Sequence, residues 1–191
     1  MEKQQEIQKG VSSVVMITHD SDNLSRKEIR RKSVESLFET VDSSNEIIVF
    51  NNKEGSLGWA RNTAIKNSIG EYLVICDDDI LFKDGWLEEC IKMVEMGDKF
   101  MATPVHQIRI KKWERDRFMG YRRNDRTGSN CMVMRRKDFE EVGWFDEKLG
   151  FKEVGGKYAN RIFNAGFSFL ITKEPMAIDM GFKKHSYETN G

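Results

Sequence analysis

A chain of 191 residues carrying 31 acidic and 31 basic side chains has the size of one domain with a full core, and no global charge that would recruit nucleic acid or a membrane surface. Charged residues make up 32% and hydrophobic ones 39%, an ordinary balance for a soluble globular protein, and no apolar run approaches the length of a transmembrane helix. The three cysteines, Cys76, Cys90 and Cys131, form no CxxC pair, which argues against a disulfide or zinc framework and for buried, reduced thiols in a cytoplasmic protein.

Residues 1–10 read as a polar lead-in without the apolar stretch of a signal peptide. Val11 to Thr18 reads as a first strand, broken by His19-Asp20-Ser21-Asp22. From about Ser25 to Val41, Val34, Leu37, Phe38 and Val41 recur at helical spacing. Glu46 to Phe50 is a second strand, and a second helix runs from about Gly58 to Ile69 with Gly70 as its stop. Tyr72 to Cys76 is a short apolar run suited to a strand buried on both faces. The order βαβαβ implies a parallel sheet with right-handed crossovers. Beyond it, Asp84 can cap a helix whose face is Leu87, Cys90, Ile91 and Val94, with Trp86 in the core. Phe100 to Thr103 is a short strand. The segment from Gln107 to Thr127 is rich in Arg and Lys with weak periodicity, which suits a mobile lid or acceptor loop, and Trp113 within it is the tryptophan best placed to touch an acceptor. Ser129 to Arg135 is a strand, Lys137 to Val142 a short helix, 156–165 a helix, and Phe167 to Thr172 a final strand. No Pro- or Ser-rich linker interrupts the chain.

The chemistry gathers at Asp77, Asp78 and Asp79, directly after the third strand. Ligands of parallel sheets bind at the carboxyl ends of the strands. Alternation along a strand end sends Asp77 and Asp79 to one side and Asp78 to the other. Two carboxylates held together repel unless something positive lies between them, and a divalent cation gripping a substrate phosphate answers that need. A solvated acidic loop is the plainer alternative for such a triplet.

Four stretches in order, VVMITHD, GWARNTAIKNSIGEYLVICDDD, GSNCMVMRRKDFEEVGWFDE and FKEVGGKYANRIFNAGF, resemble the nucleotide-sugar glycosyltransferases of family 2. They span about Val11 to Leu170. The resemblance implies the α/β GT-A fold, Rossmann-like: a single domain over 11–191 with a mostly parallel central sheet flanked by helices. Its nucleotide-binding half covers about 11–97 and its acceptor half about 98–191.

The same resemblance implies a metal-dependent, inverting transfer of a sugar from a UDP or GDP donor to a saccharide, lipid-linked or protein acceptor. Asp79 and Asp77 would hold Mn2+ or Mg2+, with His185 as a third ligand; Asp78 would lie on the donor side. Thr18, His19, Asp20 and Asn51 would hold base and ribose, and Arg61 the diphosphate, where guanidinium geometry and a helix N-terminus both favour phosphate. The family usually has Asp after the second strand, where Asn51-Asn52 stands here. It often has Glu-Asp where this chain has Glu153 alone. Glu153 is the candidate base, with burial near Phe151 expected to raise its pKa; Asp146 is the second candidate. Gly155 and Gly156 would let the backbone approach the acceptor. A catalytically silent nucleotide-sugar binding module or partner subunit is the competing reading. A nucleotidyltransferase is disfavoured because VVMITHDS replaces a Gly-rich phosphate loop. Peripheral membrane contact remains compatible with the sequence, through a partner or an amphipathic surface.

Overall fold

The computed structural model of the chain describes residues 5–19, 22–106, 117–118, 121–124 and 130–180. The elements run β1 (Gln8–Thr18), α1 (Leu24–Thr40), β2 (Glu46–Asn51), α2 (Leu57–Lys66), β3 (Gly70–Cys76), β4 (Ile80–Phe82), α3 (Trp86–Glu95) and β5 (Phe100–His106). They continue with β6 (Arg117–Phe118), β7 (Tyr121–Asn124), β8 (Cys131–Arg135), α4 (Arg136–Val142), α5 (Phe151–Asn164) and β9 (Ser168–Asp179). One mixed sheet holds nine strands among the described residues, in the order β2-β1-β3-β8-β5-β9-β7-β6, with β4 paired to β9.

The parallel half is as expected: β1 pairs in parallel with β2 and with β3. Beyond β3 the expectation of a mostly parallel sheet gives way. Only β5 and β9 are parallel there; β8 runs antiparallel to both β3 and β5, and β7 antiparallel to β9. The reason is where the chain re-enters. β5 leaves the sheet at the end that carries Asp77, and β8 starts at that same end, with Cys131 opposite Cys76. A strand that starts where its neighbours finish has to run the other way.

The sheet separates two cores. Val14, Met16, Val74, Cys76, Cys131 and Val133 face α1, α3 and β4. Val15, Ile17, Leu73, Ile75, Met132 and Met134 face α2, α4 and α5. This two-faced burial is what continuous apolar strands encode. The cysteines are all buried and unpaired, as expected. Trp86 is buried against Phe82 and donates its indole N–H to Thr40 Oγ1 at 3.1 Å.

Several sequence expectations are corrected. β1 starts at Gln8, inside the polar lead-in, because its backbone pairs with Gly70 on β3. α1 does not bury Phe38, which is 63% exposed; its inner face is Ser33, Ser36 and Leu37. Gly70 does not stop α2, which ends at Lys66, but begins β3 where the Ser13 backbone nitrogen would lie 2.4 Å from any added Cβ. Gly85, at φ 76°, precedes α3 in place of an Asp84 cap. α5 starts at Phe151, so Gly155 and Gly156 lie within a helix and not in an open loop. β9 extends through Pro175 to Asp179. Trp113 and most of the proposed lid fall outside the described residues; β6 and β7 within that stretch form a hairpin on β9.

Candidate functional site

The carboxyl ends of β1, β3 and β9 carry a cluster of acids, which Arg26 meets from the first turn of α1 and Arg61 from the second turn of α2. The N-cap of α2, Ser56, accepts a hydrogen bond from the Trp59 amide at 3.1 Å. The Arg61 side chain is 2% exposed, donates from Nη2 to Asp77 Oδ1 at 2.9 Å, and lies over the Phe145 ring at 5.2 Å. Its Nε and Nη1 are buried without a hydrogen-bond partner. Such orphan donors require an explanation, and an anionic ligand supplies one.

The triplet does not alternate as a strand would. Asp77 turns to Arg61, whereas Asp78 and Asp79 both turn to Arg26 on the first turn of α1. Arg26 donates from Nη1 to Asp79 Oδ2 at 3.1 Å and from Nη2 to Asp78 Oδ1. Arg30, one turn on, lies 3.4 Å from Asp78 Oδ2 and donates to the His19 carbonyl. The cause is local: β3 ends at Cys76, and Asp78 and Asp79 form a turn into β4, where period two no longer applies.

Asp179 completes the group, and no motif in the sequence pointed to it. It is 6% exposed at the end of β9 and sits opposite Ile80 in the β4–β9 ladder. The Met180 amide donates to the Asp79 carbonyl at 2.8 Å, and Asn130 Nδ2 donates to Asp179 Oδ2 at 3.0 Å. Asn130 also accepts from the Asp77 amide at 2.8 Å, which ties β3, β8 and β9 together beneath the acids.

Burial pushes the Asp77 carboxyl up to about 7; Arg61 opposes this, and the negative charges of Asp79, Asp78 and Asp179 reinforce it. The side chain still keeps 36% exposure, so the group is deep in the protein with one open side. Burial likewise raises Asp78, against the pull of Arg26. Burial would lower Arg26, but Asp78 and Asp79 outweigh it and hold the guanidinium above its usual value.

Among the described residues, the four carboxylates Asp77, Asp78, Asp79 and Asp179 gather with the guanidiniums of Arg26, Arg30 and Arg61. The hard oxygen donors of this acidic cluster fit a divalent cation of the Mg2+ or Mn2+ kind. Among the described residues no three Asp, Glu, His or Cys side chains make a ready-made ion site. Asp77, Asp79 and Asp179 would hold such an ion only with oxygens brought by a ligand. His185 and Asp20 lie outside the described residues.

At the joined ends of β1 and β2, Thr18 pairs with Asn51 and its carbonyl accepts from the Asn52 amide at 2.8 Å. Thr18 is buried and Asn51 exposed. Asn52, named in the sequence only as part of the Asn51-Asn52 departure, is 5% exposed and has a buried Oδ1 without a hydrogen-bond partner among the described residues, and His19 Nε2 is likewise buried and unpartnered there. The His19 ring meets the edge of Phe151 on α5 at 5.9 Å.

Phe151 thus brings α5 to His19, and Glu153 stands in that helix's first turn. The burial expected for Glu153 is not found: its side chain is 57% exposed, 3.5 Å from Lys157, and Phe151 is itself 65% exposed. Asp146 accepts from the Lys148 amide at 2.9 Å, a turn-stabilising bond. Its loop is fixed to α2 by Asn62, which bonds both backbone groups of Phe145 at 3.0 Å and Glu147 Oε1 at 2.8 Å. A side chain at Gly58 would strike the Asp146 carbonyl. Gly58, Arg61 and Asn62 therefore join α2 to the loop that precedes α5.

The sequence profile described as "Glycosyl transferase family 2" matches residues 21–169. A comparison with curated protein sequences finds no match. Among solved structures, the fold is similar to S. aureus TarS, with a TM-score of 0.67, 13% identity, and coverage of 93% of this chain and 38% of that one. A mannosyltransferase from Pyrobaculum calidifontis, in complex with GDP-Man and Mn2+, gives 0.64 and 15%, with coverage of 88% and 56%. GalNAc-T7 with UDP, GalNAc and Mn2+ gives 0.63 and 13%, with coverage of 85% and 41%. The chain thus spans between about two fifths and somewhat over half of these proteins. Likeness at such identity speaks to the fold, which is the GT-A fold the sequence led us to expect.

Proposed function

The chain belongs to glycosyl transferase family 2, and on that premise we propose that it transfers a sugar from a nucleoside-diphosphate donor to an acceptor hydroxyl, with inversion and with the help of Mn2+ or Mg2+. The observation that carries this reading is Arg61: a buried guanidinium with two orphan donors beside a cluster of four carboxylates. The P. calidifontis enzyme is in complex with GDP-Man and Mn2+, and GalNAc-T7 with UDP, GalNAc and Mn2+, which supports the same donor class here.

In this reading, Arg61 binds the diphosphate and receives the negative charge that builds on it as the sugar–phosphate bond breaks. Thr18, His19, Asn51 and Asn52 hold base and ribose; the orphan Asn52 Oδ1 can accept from a base N–H. Asp79, Asp77 and Asp179 would hold the cation, which when bound supplies Lewis-acid neutralisation of the leaving group. Glu153 takes the proton of the acceptor hydroxyl while its oxygen attacks the anomeric carbon from the face opposite the diphosphate. Asp146 is the second candidate for that role. The acceptor class is a saccharide, a lipid-linked group or a protein. No helix among the described residues is long and apolar enough to cross a membrane.

The test is calorimetric titration with UDP- and GDP-sugars, with and without Mn2+. The wild-type chain should bind one donor class in a Mn2+-dependent manner, and Asp79→Ala should lose that dependence while keeping its circular dichroism. Unchanged Mn2+-dependent affinity in Asp79→Ala sinks the site. The silent-module reading draws on one observation, the open, Lys157-paired position of Glu153, where a base that works at neutral pH gains from burial.

A further inference from the structure

The contacts of Arg26 reach beyond this reading. Arg26 is anchored where α1 begins: its amide donates to the N-cap Asn23 Oδ1 at 3.0 Å, and its guanidinium spans Asp78 and Asp79. The pair is not sealed off, since the Arg26 side chain is 35% exposed while Asp78 and Asp79 are 6% and 20% exposed. The oxygen that Arg26 Nη1 engages, Asp79 Oδ2, belongs to the carboxylate assigned above to the cation. Two cations on one carboxylate repel across a few ångströms, so a cation at Asp79 loosens the hold of Arg26 and favours its withdrawal. Arg30 still balances Asp78 when Arg26 withdraws.

We propose that Arg26 is an exchangeable counter-ion: it holds Asp79 until a metal–nucleotide pair arrives, then passes from the carboxylate to the donor's diphosphate. This deepens the sugar-donor reading and rests on it for its second half. The physical consequence is coupling between two ligands. A metal arriving alone breaks the Arg26–Asp79 pair and gives the guanidinium nothing in return. A metal arriving with a diphosphate offers it phosphate oxygens, which match a planar fork and carry more negative charge than the one carboxylate it leaves. Metal and nucleotide then favour each other's binding by the same factor, as linkage requires. The site discriminates against bare cations and for the charged donor, and the residue that sets this preference lies 51 positions before the first Asp of the triplet.

The experiment compares wild type, Arg26→Gln and Arg26→Lys by calorimetry. Each is titrated with Mn2+ alone and with Mn2+ in the presence of UDP or GDP, and melting curves confirm folding. Arg26→Gln keeps a hydrogen-bonding side chain without the charge. It should bind Mn2+ alone about tenfold more tightly and the Mn2+–nucleotide pair about tenfold more weakly, opposite directions for one substitution. Arg26→Lys keeps the charge but loses the fork, and should shift both affinities the same ways by smaller factors; it carries the test where Arg26→Gln does not fold. Affinities that both fall, both rise or both stay put overturn the exchange. A wild-type chain that binds neither nucleotide with Mn2+, while Arg26→Gln still tightens Mn2+ alone, sinks the sugar-donor reading but upholds Arg26 as the counter-ion that a metal displaces.

Discussion

A guanidinium buried as completely as Arg61 is costly unless its donors are satisfied, and Asp77 satisfies only one of its nitrogens. An apolar side chain over Phe145 would avoid that cost, which is why the proposed diphosphate is placed at Arg61. Glu153 poses the opposite problem, because it is open to water and its ion-pair partner among the described residues is Lys157 one turn on. If it is the base, it acts when the acceptor oxygen attacks and contributes little to donor binding. Glu153→Gln should then bind donor and metal as wild type does, yet lose on the order of 10²–10⁴ in transfer rate. Hydrolysis of the donor, with water in the acceptor's place, gives an assay that needs no known acceptor. Equal hydrolysis rates would exclude Glu153, and the same loss in Asp146→Asn would move the role there. At this scale the sequence disclosed residues embedded in motifs, such as Arg61 and Asp77, because spacing along the chain reports them. It did not disclose Arg26 or Asp179, which reach the acids from 53 and 100 residues away through side-chain reach and strand topology.

The elements around the acids are placed by polar contacts that periodicity does not record. Ser33 Oγ donates to the Ile80 carbonyl at 2.7 Å and accepts from the Ile80 amide at 3.2 Å, and Ser36 Oγ accepts from the Phe82 amide at 3.3 Å. These bonds tie α1 to β4, so the helix bearing Arg26 and the turn bearing Asp79 move as one. A search for an apolar stripe therefore chose Phe38 as an inward residue and overlooked the serines that face inward. Gly70 was misread for a similar reason: glycine after a helix signals a stop, but here it admits a close backbone crossing. An added Cβ would lie 2.4 Å from Ser13 N, 2.7 Å from Ser13 Oγ and 2.8 Å from the Ser12 carbonyl carbon. Because two of those three atoms are backbone, nothing can swing aside. Gly70→Ala should cost roughly 2–3 kcal/mol by forcing β1 and β3 apart, the scale of overpacking in a tight core. Urea unfolding would show it as a lower midpoint at unchanged slope. A loss under about 0.5 kcal/mol would mean the strands yield more readily than their burial suggests.

Across the whole molecule, the two cores share their central strands, since β1, β3 and β8 each send alternate side chains into both. Neither face can come apart without exposing the other, so near- and far-ultraviolet dichroism should report one coincident melting transition. The net charge is zero, but four acids, Asp77, Asp78, Asp79 and Asp179, are gathered in one place. Asp77 titrates at about 7 when folded, above the unfolded carboxyl. Between those values the folded chain keeps a proton that the unfolded chain has lost. That advantage is complete below pH 4 and disappears as the pH rises toward 7. Asp78 is shifted in the same direction. Glu28, held at about 2 by its hydrogen bonds from Arg31, and Asp42, lowered by the Ser44 amide, act the other way, but their stabilisation is lost only on acidification below about 4. Stability without metal should therefore peak near pH 5. With Asp77 discounted for its open side, the decline to pH 7.5 amounts to roughly 1 kcal/mol, or about 3 °C in a chain of this length. Melting in EDTA at pH 5 and 7.5 measures it, and a midpoint that climbs over that interval refutes the raised Asp77 carboxyl. Saturating Mn2+ with the matching nucleoside diphosphate should abolish the decline, because a ligand that binds only the folded chain raises its stability most where the acids are fully ionised.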